Sequence, residues 1–145
     1  MTPKLTCPNY RYVASYMLNC KLIFSQTYLQ DKTPSVRAMV IQAIRYTLPD
    51  SDEAFDVVLK STLIDMLIVM LRDPELENRR LALTTLNSAA HNKPDLIIPN
   101  LAQLLPLVMN ESVVKPELVR EVMMGPFKHK VDDGLEVRKV SSHLV

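Results

Sequence analysis

Three histidines, two cysteines and a few acid–hydroxyl neighbours are the residues with which this 145-residue chain could do chemistry. None falls into a working arrangement. His91, His129 and His143 lack the spacing that brings ligands onto one metal, and Cys7 and Cys20 lie far from them along the chain. Asp132-Asp133-Gly134 begins like a calcium loop, but the other oxygen ligands do not follow, which favours a turn and a cap. Ser141-Ser142-His143 has neither the sharp elbow nor the orienting acid of a nucleophile and its base. His91, in AAHNKP, reads as a hydrogen-bonder at a helix end. With two glycines in all, no Gly-rich phosphate cradle can form. The expectation is a non-enzymatic chain with no catalytic residue, cofactor or metal.

Composition narrows the class further. Hydrophobic residues make up 48% and charged residues 23%, the balance of a globular domain of ordinary size. Two glycines against ten prolines argue against a turn-rich sandwich or barrel, and for helices punctuated by proline. The formal net charge of +1 hides an asymmetry, since residues 1–30 hold Lys4, Arg11 and Lys21 and no acid. The remainder is slightly acidic and carries no basic stripe, so no nucleic acid is expected. No apolar run approaches the roughly 20 residues that span a bilayer. Cys7 and Cys20 could pair, but reduced buried thiols fit a lone couple better, giving a cytoplasmic or nuclear reading.

The elements follow from apolar spacing. Val13, Tyr16, Met17 and Cys20 suggest a helix from about 10 to 28. Val36, Met39, Val40, Ala43, Ile44 and Thr47 form a stripe at i, i+3, i+4, i+7 and i+8, predicting a helix over 35–48. Phe55 to Leu71 makes a longer stripe, widened by Ile64, Ile68 and Val69, as for a helix covered on two sides. Further helices are expected over 77–91, 95–109 and from 136 onward.

These helices repeat. An aspartate followed six residues later by an arginine occurs as Asp31 and Arg37, Asp73 and Arg79, and Asp132 and Arg138, each at a helix start. The first two copies are 42 residues apart, a period of helix-pair arrays. The aspartate is expected to cap its helix, and the arginine to reach a neighbouring aspartate, building a ladder between stacked pairs. The pattern resembles HEAT repeats, which implies an all-α solenoid of paired helices over 31–139. Residues 1–30 and 140–145 diverge from it.

One connection is too long. Leu71 to Arg79 spans 8 residues, whereas Met109 to Arg138 spans 29, so about 20 residues are inserted within 112–134. Phe127, His129 and Val131 alternate with Lys128, Lys130 and Asp132, the period of a strand, and Gly125-Pro126 signals a turn. Val119 to Met124 fits the partner strand of a hairpin. Pro116 followed by Glu117 also fits a short helix ending at Gly125. In either form a Met-Met-Gly-Pro-Phe tip would anchor in a partner's pocket or fold back over the helices.

LENRRLALTTLNSAAHNKPDL at 76–96 and PELVREVMMGPFKHKVDDGLEVRK at 116–139 resemble the C-terminal part of the cullin-associated, neddylation-dissociated family. The resemblance runs from about Asp31 to Lys139. It implies a non-enzymatic scaffold that wraps an unneddylated cullin, competes with the substrate-receptor adaptor, and exchanges receptors on SCF and other cullin–RING ubiquitin ligases. It also implies that the insertion binds the adaptor's place on the cullin through Glu121, Val122, Met123, Met124, Gly125, Pro126, Phe127, Lys128 and His129. The chain departs from the family at Met123, where an acid is expected, at Lys130, where Thr is expected, and after Lys139. A truncated piece of a longer protein is therefore expected, one that binds cullin weakly alone. The alternative is a HEAT scaffold for transport, phosphatase or cytoskeletal assembly.

Overall fold

The computed structural model describes residues 26–51 and 53–144. Cys7, Cys20 and most of the helix expected over 10–28 lie outside these residues; 26–28 are helical. Six α-helices follow: α1 Pro34–Thr47, α2 Glu53–Leu71, α3 Leu76–Asn92, α4 Pro94–Ile97, α5 Leu101–Ser112 and α6 Leu135–Ser142. An antiparallel hairpin, β1 Val119–Met124 and β2 Phe127–Asp132, stands between α5 and α6. The described chain is mostly helical, with this hairpin as its one sheet.

Packing is in two layers. α1, α3 and α6 lie side by side in one, α3 touching both neighbours; α2 packs on α3 and α5 on α6 to make the other. α2 is the central element. Its apolar residues surround most of the helix, so Phe55, Leu59, Leu63, Ile64, Met66, Leu67, Met70 and Leu71 are all buried. Full burial of each such side chain contributes about 2 kcal/mol. Ile64 is covered as its position implies, but Val69 remains exposed, so the second covered side is partial.

Two expectations are corrected in phase and continuity. On α1 the buried residues are Arg37, Ile41 and Ile44, with Leu48 just beyond, while Met39, Ala43 and Thr47 face out. The helix is rotated from its apolar stripe because Arg37 is drawn inward to Asp73. The helix expected over 95–109 is interrupted by a 3₁₀ turn, Ile98–Asn100. Pro99 has no N–H for an α-helical bond and crowds the carbonyl four residues back. Pro106 lies inside α5 on its exposed side, where a missing backbone bond can be made up by water.

Candidate functional site

The three Asp–Arg pairs fold into one recurring loop. Each aspartate stands two residues before its helix's N-cap, and each arginine is the fourth helical residue. None of the aspartates caps its helix directly, which corrects the expected role. Instead Asp31, Asp73 and Asp132 each accept a bond at Oδ1 from the N–H two residues on: Thr33 at 2.8 Å, Glu75 at 2.8 Å and Gly134 at 2.9 Å. The side chain closes a local turn that fixes the angle at which the helix begins.

One ion pair joins α1 to the loop before α3. Arg37 donates to both oxygens of Asp73, Nε to Oδ2 at 2.7 Å and a terminal nitrogen to Oδ1 at 3.0 Å. Its other terminal nitrogen returns to the Asp31 carbonyl at 2.7 Å. Asn78, at the place held elsewhere by Val36 and Val137, donates to Asp73 and to the Pro34 carbonyl of α1. Burial by itself would push the Asp73 carboxyl up, but bonds from Arg37, the Glu75 N–H and Asn78 bring it below its ordinary value.

The next rung departs from the ladder. Arg79 does not pair with Asp132; its Nε donates to Glu111 Oε2 at 3.3 Å, while a terminal nitrogen still reaches the Asp73 carbonyl at 2.8 Å. Asp132 is held by its own Arg138 at 2.5 Å, which keeps its carboxyl low. Arg79 is met instead by a glutamate near the end of α5. Asn78 and Glu111 belong to no motif in the sequence. Both are polar and buried, a state that periodicity does not reveal.

The insertion is a hairpin with the strand limits that the alternation implies. The proline-led helical alternative survives only as a single 3₁₀ turn, Pro116–Leu118. Met124 pairs with Phe127, leaving Gly125-Pro126 as a two-residue connection. Gly125 has φ 64°, the positive value that the first position of a type II′ turn needs. Cross-strand register divides the side chains between two faces. Arg120, Val122 and Met124 share one with Phe127, His129 and Val131; Glu121 and Met123 share the other with Lys128 and Lys130.

The nine residues Glu121 to His129 thus come together at one end of the hairpin, but on opposite faces. Met124 and Phe127 are 63% and 68% exposed and adjacent on the more apolar face. Met123, equally exposed, points to the charged one. The tip does not fold back onto the helices. Arg120 pairs with Asp133 below it, while Lys128 and Lys130 form no ion pair among the described residues.

Other candidate chemistry resolves locally. His91 donates from Nδ1 to the Asn87 carbonyl at 2.9 Å on the last turn of α3. Among the described residues no three His, Cys, Asp or Glu side chains gather as a metal site, and no helix is long and apolar enough to cross a membrane.

Residues 96–143, which include the whole hairpin, match the family model described as TIP120, TATA-binding protein interacting (TIP20). The chain is 55% identical over 114 residues to the Cullin-associated NEDD8-dissociated protein 1, C-terminal part, of Emericella nidulans, covering 79% of this chain and 11% of that protein. It is 46% identical over 116 residues to Cullin-associated NEDD8-dissociated protein 1 of Drosophila melanogaster, covering 80% and 9%. The Dictyostelium discoideum protein of the same name is 42% identical over 113 residues, covering 78% and 9%. The chain therefore spans about a tenth of the length of these relatives. Identities of 46–55% over about four fifths of this chain carry one conclusion: the chain belongs to the cullin-associated NEDD8-dissociated protein family.

Proposed function

We propose that this chain is part of a non-enzymatic HEAT-repeat scaffold, with repeats over 31–139, that binds unneddylated cullin in the cytoplasm or nucleus. The hairpin tip, Glu121 to His129, is its contact with the cullin's adaptor-binding end. By occupying that place the scaffold competes with the adaptor and promotes receptor exchange on SCF and related ligases. The stacked helix pairs support the repeat reading, and the relatives' names support cullin as partner.

One observation carries the contact. Met124 and Phe127 lie side by side, exposed, at the end of a projecting hairpin. Large apolar side chains offered together in water give up that cost when a pocket receives them, and aromatic and Met residues supply much interface energy. The register supports Met124 and Phe127 as the centre of the proposed contact, with Lys128 and Lys130 on the other face.

The test is competition against the adaptor on an unmodified cullin. The wild-type chain in excess lowers adaptor occupancy. Changing Met124→Asp and Phe127→Asp together weakens that effect by about tenfold or more, while far-UV circular dichroism keeps its helical signal. Undiminished competition by the double variant makes the tip mere packing and overturns the mechanism.

A further inference from the structure

We propose that Glu111 is a positioning residue that aims the hairpin. Only 5% of Glu111 is exposed, at the last turn of α5, and both carboxylate oxygens are engaged. Oε2 accepts from Arg79 of α3, and Oε1 accepts from Lys115 Nζ at 2.7 Å and from Asn110 at 3.4 Å. Lys115 immediately precedes Pro116, where the chain turns into β1. One buried carboxylate thus joins α3, the end of α5 and the root of the hairpin.

The hairpin needs such a root. Every residue of its two strands is exposed or half-buried, so its body gains little hold on the helices. Two strands alone are marginally stable and free to swing. Direction must come from the base, where the Asp133 N–H donates to the Leu118 carbonyl at 3.0 Å and Gly134 lies against Leu118. Those contacts tie the two legs to each other and to α6. The Glu111 cluster ties the first leg to α3.

Comparison of the two rungs strengthens the assignment. Arg37 and Arg79 occupy the same helical position and both return to the carbonyl of their own loop aspartate. The Arg37 side chain then pairs with the aspartate of the next unit, whereas Arg79 turns to Glu111. The arginine that in the first loop links α1 to the loop before α3 is, in the second, directed to the segment leading into the insertion. The consequence for cullin binding rests on the reading proposed above; the orientation does not.

Spin labels at Asn92→Cys on α3 and Lys130→Cys on β2, with Cys7→Ser and Cys20→Ser, measure the angle directly in the full chain. The distance distribution is expected to broaden and shift in Glu111→Gln while the helical signal persists. Lys115→Met, which keeps Arg79 and Glu111 in place to pair, should broaden it less. Cullin binding by Glu111→Gln should weaken by about tenfold, since a mobile tip must be ordered on docking. A distribution unchanged in both variants overturns the proposal; should Glu111→Gln fail to fold, Lys115→Met decides it. A broadened distribution with unaltered cullin binding upholds the positioning role and overturns the docking reading instead.

Discussion

A guanidinium removed from water must recover its hydrogen bonds inside the protein, and Arg37 does so completely enough to be buried. Two bonds go to Asp73 and others to the carbonyls of Asp31 and Lys32. Deleting one member of such a pair strands the other charge. Arg37→Ala is expected to cost about 3 kcal/mol, read from urea unfolding. Asp73 adds a pH dependence. Its folded carboxyl lies below the ordinary value, so the native state holds a proton less readily than the unfolded chain. The resulting stabilisation is present in full above the unfolded value and is lost as pH falls through the depressed folded one. Wild-type stability should therefore decline below about pH 4. Asp73→Asn should be weaker at neutral pH and flatter across that acid range, as followed by thermal melting.

At the scale of elements, the hairpin was the most legible feature. Alternation over Phe127 to Asp132 and the Gly-Pro signal pointed to both strands, although a short proline-led helix also fitted the upstream half; the structure holds strands over Val119–Met124 and Phe127–Asp132. The turn rests on Gly125, whose positive φ meets open space where a Cβ would stand. Gly125→Ala is thus strained by backbone alone and should cost about 1 kcal/mol, visible as weakened cross-strand contacts in NMR. Most helix limits were also readable from proline and aspartate, but neither the break at Ile98–Asn100 nor the face of α1 was. Its apolar stripe placed Met39 inside, whereas the pull of Asp73 on Arg37 turned Ile41 and Leu48 inward. Apolar spacing along α1 carries no trace of the buried ion pair that sets the helix's rotation.

Across the whole molecule, stability is unevenly distributed. α2 is enclosed by α3, α4 and α5, and the fully buried Leu59, Leu63 and Leu67 lie on it. The hairpin has only its own ladder and its root. Opening it exposes little apolar surface, so its amides should exchange with solvent well before those of α2 and α3. Hydrogen exchange by mass spectrometry checks this order, and equal protection of hairpin and α2 would contradict it.

Local sequence by itself determined the helix-rich class, the recurring Asp–Arg loops, the over-long connection and the strands within it, because each depends on spacing along a few turns. Tertiary structure alone decided which carboxylate meets which arginine. Asp73 reaches across to Arg37, whereas Asp132 pairs with its own Arg138 and Arg79 is met by Glu111. It also decided that Met123 and Met124, neighbours in the chain, face opposite ways on an exposed tip. Such outcomes depend on distances between segments dozens of residues apart, where burial makes a charge seek whichever partner the packing brings within reach.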